Sequence, residues 1–276
     1  MAGKLFLCAT PIGNLGDMTP RVMETLESVD FIAAEDTRNT LKLLNHFEIK
    51  TPMTSYHEHN KVTKGPVLVE RMLAGESIAL VTDAGMPGIS DPGADLVKLC
   101  YDAGVPVTVA PGASAAVVAL VLSGLDTRRF VFEGFLPPDK KERKAILKTL
   151  EREHRTMIFY EAPHRLTGTL EELAELFGED RQMAATRELT KKFEEVRRDT
   201  IGGHLKHFTE NQPKGEFVLV VAGAPAEEKE VASETDAAAR VAQLMAEGLS
   251  RKDAVKQTAK ELNLPKNIVY DAALNL

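Results

Sequence analysis

The chain reads as an α/β protein of two α/β domains, followed by a small helical module. Three observations predict that class. Strand-like apolar runs alternate with helical ones from the start of the chain, which means a largely parallel sheet. Three of the strands run straight into loops rich in glycine and proline. Residues 237–276 then change to a purely helical pattern.

The elements follow in order. Lys4 to Ala9 reads as the first strand, and Thr19-Pro20 opens a helix to Ser28 with its proline in the first turn, where the missing donor costs nothing. Phe31 to Ala34 is the next strand, and Asp36 caps a helix over Thr37 to His46. A helix over Thr63 to Ala74, a strand over Ser77 to Val81, a helix over Asp95 to Ala103 and a strand over Val107 to Ala110 complete the first domain, residues 1–123. Asp91-Pro92 is read as the capping pair of the helix after the loop that follows Ser77 to Val81. The second domain, residues 124–222, carries strands over Phe130 to Phe135, Thr156 to Tyr160, Met183 to Arg187, Glu194 to Thr200 and Glu216 to Ala222, several of them antiparallel. Acidic residues 223–236 read as a linker. In the tail, Gly248 ends one helix, Ser250 with Asp253 starts another, and Leu264-Pro265 turns into a third.

Composition excludes several classes. With 276 residues, 43% hydrophobic and 27% charged, the chain is ordinary globular protein rather than disordered. Its two cysteines, Cys8 and Cys100, suit a reducing compartment and have no metal-ligand spacing. The longest apolar run, Ala113 to Leu122, is too short for a bilayer, so a cytoplasmic protein with no membrane association is expected. A net charge of −7 argues against blanket nucleic-acid affinity. Local basic faces remain: nine basic against five acidic residues from Arg128 to Arg155, and six against four from Ala237 to Leu276. The tail accordingly reads as an RNA-docking or subunit-docking module.

The three loops are Ala9-Thr10-Pro11-Ile12-Gly13-Asn14-Leu15-Gly16-Asp17, Asp83-Ala84-Gly85-Met86-Pro87-Gly88-Ile89-Ser90-Asp91-Pro92-Gly93 and Pro111-Gly112-Ala113-Ser114-Ala115. In open α/β sheets such loops gather at strand C-termini, where ligands bind. None carries the Gly-x-Gly-x-x-Gly fingerprint or a P-loop lysine, so dinucleotides and triphosphates are disfavoured. A ligand held by backbone and apolar contacts remains, and S-adenosylmethionine fits that description.

These loops, together with Ala34-Glu35-Asp36-Thr37-Arg38, Ser55-Tyr56-His57-Glu58-His59-Asn60, Tyr160-Glu161-Ala162-Pro163-His164-Arg165 and Arg187-Glu188-Leu189-Thr190-Lys191, resemble in order the motifs of the tetrapyrrole-methylase-like S-adenosylmethionine-dependent enzymes, and within them the branch that acts on small-subunit ribosomal RNA. The resemblance spans Lys4 to about Ala222 and extends to the tail. It implies two α/β domains with the cofactor in the cleft between them, a homodimer, and methyl transfer to the ribose 2′-hydroxyl of a decoding-site cytidine in 16S rRNA, within the small ribosomal subunit. By motif position it implies cofactor contacts at Pro11, Gly13, Asp83, Ala84, Gly85, Met86, Pro87, Ile89, Ser114, Ala115, Tyr160, Glu161 and Leu189, and no metal. Small-molecule relatives typically begin with Gly-x-Gly-Pro-Gly-Asp, and the departure of Ala9 to Asn14 favours RNA over a tetrapyrrole. A tetrapyrrole methyltransferase and a non-catalytic metabolite-binding adaptor are the rival readings.

Methyl transfer to a hydroxyl needs alignment of the two reactants and help in removing a weakly acidic proton. Glu35 and Arg38, at the end of a short apolar strand, are candidates for that work, the arginine as a clamp on phosphate or base. His57 and His59 share one face of an extended segment and suit RNA contact or proton handling, or stand as ordinary exposed residues. A zinc reading lacks further ligands at a suitable spacing.

Overall fold

The computed structural model describes residues 2–225, 234–262 and 264–274. The chain divides into two compact units, Met1–Ala224 and Pro225–Leu276. Most of the expected acidic linker, residues 226–233, lies outside the described residues, as do Asn263 and the last two positions.

In the first unit, β1 (Leu5–Cys8), β2 (Phe31–Ala34), β3 (Met53–Ser55), β4 (Ile78–Val81) and β5 (Val107–Ala110) form one parallel sheet in the order β3-β2-β4-β1-β5. The crossovers are α1 (Pro20–Ser28), α2 (Thr37–His46), α3 (Lys61–Leu73) and α4 (Ala94–Asp102). The short apolar runs become central strands because both faces are covered. Phe31, Ala33, Ile78 and Leu80 pack on one side, and Ile32, Ala34, Ala79 and Val81 on the other. Thr19 caps α1 through Val22 N–H at 3.2 Å, and Asp36 caps α2 through Arg38 N–H at 2.8 Å. Strand order reverses around β1, so the loops after β4, β1 and β5 stand side by side.

A second sheet has the order β6-β7-β10-β8-β9, made of β6 (Phe130–Phe135), β7 (Thr156–Glu161), β8 (Gln182–Arg187), β9 (Glu195–Thr200) and β10 (Phe217–Val221). β6 and β7 are parallel and the other pairs antiparallel, as the sequence predicts for part of this region. α6 (Lys140–Leu150), α7 (Leu166–Phe177) and α8 (Ile201–Glu210) cover one face. The other face is covered by α5 (Ala115–Ser123), whose Ala116, Ala119 and Leu120 pack on Ile158, Ala184, Val218 and Val220. The helix that follows the third ligand loop thus belongs by packing to the second sheet.

One local expectation fails. α4 begins at Ala94, capped by the Gly93 backbone without a side chain, so Asp91 is not its cap. Ser90 takes a left-handed φ of 62°, and Gly88 and Gly93 bend the loop further, which leaves the Asp91 carboxyl free of the helix end.

Taken by itself, the C-terminal unit is α9 (Glu234–Ala246), α10 (Arg251–Glu261) and α11 (Lys266–Ala272) around Val241, Leu244, Ala254, Val255 and Val269. Ser250 caps α10 through Asp253 N–H at 3.2 Å, as its motif predicts, and the last turn leaves Leu274 exposed.

Candidate active site

Backbone pairing fixes the loops before any ligand enters. Thr10 and Gly85 exchange hydrogen bonds of 2.9 and 3.0 Å, and Thr10 Oγ1 donates to the Thr82 carbonyl at 3.0 Å, so the loops after β1 and β4 are clamped together. Gly85 has φ 80°, a conformation that needs glycine where backbone lines a cavity. From the second sheet, Tyr160 Oη accepts the Ala116 N–H at 3.2 Å, and the edges of Phe132 and Phe135 flank the tyrosine ring.

Between these groups lies a cavity of about 450 Å³. Of the residues expected to hold a cofactor, Asp83, Ala84, Gly85, Met86, Ile89, Ser114, Ala115, Tyr160, Glu161 and Leu189 line it. Pro87 is buried and is not among the residues that line it. Pro11 and Gly13 line a separate recess with Asn39, Lys42 and Asp83. Gly13 packs against the Leu189–Lys191 segment, where a Cβ would come within 2.4 Å of Lys191 Cγ. Glu161 reaches the cavity with its carboxylate already engaged, by Thr169 Oγ1 at 2.6 Å, Ala162 N–H at 2.9 Å and Arg165 at 3.4 Å.

Glu35 lines this cavity and also an adjoining recess of about 280 Å³ with Arg38, Ser55, His57 and His59. All four candidate catalytic residues therefore meet at the ends of neighbouring strands β2 and β3. Burial pushes the Glu35 carboxyl above the usual range, against the opposing pull of the Asp83 N–H that it accepts at 3.2 Å. Arg38 is exposed and forks onto Asp36 at 2.7 and 3.0 Å, which holds Asp36 low, near 2. Asn60 pins the histidine loop by accepting His57 N–H at 2.9 Å and donating to Ser55. His57 Nδ1 is buried with no hydrogen-bond partner among the described residues. Its ring lies 6.0 Å from that of His59, and no three metal-ligating side chains come together among the described residues.

Sequence reasoning missed Ser90, Asp91, Phe135, Glu216 and Val218 in the wall. Asp91 was legible as a loop carboxylate, but its position after a proline-glycine loop reads as a cap. The β10 residues gave no signal, because their contribution comes from an antiparallel pairing far along the chain.

The model of the tetrapyrrole (corrin/porphyrin) methylases matches residues 4–203, and that of the RsmI C-terminal HTH domain matches residues 231–276. The chain belongs to the tetrapyrrole methylase family. Among relatives of this methylase, a Synechocystis sp. protein named ribosomal RNA small subunit methyltransferase I is 52% identical, with 99% of this chain and 98% of that one covered. A Bacillus subtilis protein of the same name is 50% identical, with 98% and 94% covered. Solved structures show the same fold at low identity. Uroporphyrin-III-C-methyltransferase from Thermus thermophilus aligns with a TM-score of 0.57 at 21% identity, over 80% of this chain and 95% of its own. Diphthine synthase aligns with a TM-score of 0.60 at 15% identity, over 80% and 89%.

The wall suits a methylase's donor. Apolar Ile12, Met86 and Ile89 offer surface to a flat base, Gly85 and Ser114 add backbone to the wall, and among the described residues no lysine, arginine or histidine lines the cavity. That donor set fits a ligand bearing positive charge and lacking phosphate.

Proposed function

We propose that this protein methylates the ribose 2′-hydroxyl of a decoding-site cytidine in 16S rRNA within the small ribosomal subunit, with S-adenosylmethionine as donor, as a cytoplasmic homodimer. The observation that carries the reading is Glu35, shared between the cofactor-sized cavity and the polar recess beside it. Near-full-length identity to proteins named ribosomal RNA small subunit methyltransferase I supports the RNA substrate. The homodimer is supported by apolar side chains on the edge strand β5 and on α5, where Val107, Val109, Val117 and Val121 are exposed.

When bound, the cofactor supplies a methyl group already electrophilic on its sulfonium. The chain's own residues supply the rest. The Asp83–Ile89 loop, Ser114-Ala115, Tyr160 and Leu189 hold the cofactor and exclude water. Arg38, His57 and His59 steady the nucleotide, the arginine against phosphate. The ionised Glu35 carboxylate receives the hydroxyl proton, and its raised affinity for protons makes it a better base than an ordinary glutamate.

Incubation with methyl-labelled S-adenosylmethionine and either 30S particles, naked 16S rRNA or a porphyrinoid tests the proposal. Label at one cytidine ribose of 16S rRNA is expected. Transfer to the porphyrinoid alone would overturn the RNA reading.

A further inference from the structure

Among the described residues the cavity wall contains five carboxylates, Glu35, Asp83, Asp91, Glu161 and Glu216, and no basic side chain. Four have partners. Glu161 is held by Thr169 and Arg165, Glu216 pairs with Lys191 at 2.7 Å, Asp83 accepts from Asn39 at 3.0 Å, and Glu35 accepts the Asp83 N–H. Asp91 has no hydrogen bond and no ion pair among the described residues. It is also held in position. Ser90 is locked in the left-handed region and sits against the β6 bulge, where a Cβ on Gly134 would lie 2.9 Å from Ser90 Oγ. On the other side, a Cβ on Gly93 would lie 2.9 Å from the Gly88 nitrogen. The backbone on either side of Asp91 is thus closely packed, with a left-handed residue before it, as in many functional loops.

We infer that Asp91 makes this cavity a reader of charge, selecting the cationic sulfonium cofactor over the neutral thioether that remains after methyl transfer. The inference rests on the cofactor reading above and deepens it. Methyl transfer breaks the carbon–sulfur bond with its electron pair left on sulfur, forms the carbon–oxygen bond, and releases the hydroxyl proton to Glu35. The positive charge passes with that proton onto Glu35 in the cavity wall, where it neutralises one carboxylate, and the thioether that remains carries no sulfonium charge for Asp91 to favour.

The surroundings supply the strain that a cation relieves. Burial first, then repulsion from Glu35 and Asp83, pushes the Asp91 carboxyl up to about 7. Its negative charge helps raise the Tyr160 phenol, itself raised mainly by burial. His57 eases Glu35 from the recess side. A cation in the cavity supplies the missing counter-charge, so its binding drives a proton off Asp91. A neutral ligand of the same shape does not.

Calorimetry on the full-length protein tests this, with S-adenosylmethionine, S-adenosylhomocysteine and the amine-bearing analogue sinefungin. The expected preference of wild type for the two cationic ligands over S-adenosylhomocysteine grows from about pH 5.5 to about 7.5, by up to roughly tenfold per unit while Asp91 is protonated. Asp91→Asn should lower that preference by roughly tenfold or more and flatten its pH dependence. A wild-type preference independent of pH overturns the inference even if the variant fails to fold. So does an unchanged preference in folded Asp91→Asn. Binding of none of the three ligands would sink the cofactor reading itself, and the inference with it.

Discussion

Glu35 and His57 share one recess, and substitution separates their roles. Glu35→Gln should lower the single-turnover rate by about 10²- to 10⁴-fold at saturating cofactor and RNA, and abolish the rise of rate with pH that comes from ionising a carboxyl raised above its usual range. His57→Ala should keep that rise and weaken RNA binding. Loss of the limb in His57→Ala with its retention in Glu35→Gln would reverse the assignment. Asp91 permits a stability test of opposite sign. Its carboxyl binds a proton more tightly in the folded protein than the ordinary 3.8, so it favours folding at low pH, and that contribution is lost as pH rises from near 4 to about 7. Above that range the ionised group is a burden, and Asp91→Asn should stabilise the protein at about pH 8 by roughly 1–3 kcal/mol in denaturant titration. Glu35 was legible in the sequence because it follows an apolar strand directly, and Asp83 because it opens the glycine-rich loop that carries the family resemblance. The place of Asp91 in the cavity wall was not, because φ 62° at Ser90 turns a capping motif into a piece of that wall.

Elements divide along the same line. Strands β2 and β5 and helix α2 match their predicted bounds residue for residue, since a short apolar strand and a capped helix are written in contiguous residues. The three-residue β3 was invisible, being too short and too polar for a periodic signal, and it forms because Ile32, Ala33 and Ala34 pair with Met53, Thr54 and Ser55. In the second sheet's helical layer, Arg143 on α6 forks onto Glu172 on α7 at 2.6 and 2.8 Å, and both side chains are largely buried. The hydrogen-bonded guanidinium holds Glu172 below the ordinary carboxylate range. Its stabilising contribution is therefore complete above about pH 5 and is lost as pH falls from the ordinary glutamate range through the lower folded one. Arg143→Met should cost about 3–5 kcal/mol, because it strands a buried carboxylate, while Arg143→Met with Glu172→Leu should recover most of it. At the tail, a groove between α10 and α11 is lined by Lys252, Lys256 and Lys266 with the exposed ring of Tyr270. Replacing the three lysines by alanine should weaken RNA binding and reduce its dependence on log salt by roughly one unit per lost phosphate contact, with cofactor affinity unchanged. An unaltered salt slope would leave the tail outside RNA binding.

At the scale of the whole molecule, the cavity joins two sheets that the sequence presents as separate α/β blocks. The Asp83–Ile89 loop and Ser114 come from the first, Tyr160, Leu189 and Val218 from the second, and α5 spans the two by packing its apolar face on the second sheet. A ligand bound there contacts both and is bound only when both are folded, so its binding energy must appear as stability of the unit Met1–Ala224 as a whole. Cofactor at about 100 times its dissociation constant should add about 2.7 kcal/mol, which for a unit of this size raises the melting temperature by roughly 5–10 °C. Hydrogen exchange distinguishes this from a local effect. Amides of β4 and of β7 should slow together on cofactor addition, while those of the C-terminal core around Val241 and Val269 should not respond. Protection confined to the β4 loop, with β7 unchanged, would mean that the first sheet binds the cofactor alone and that Tyr160 and Leu189 only border the site.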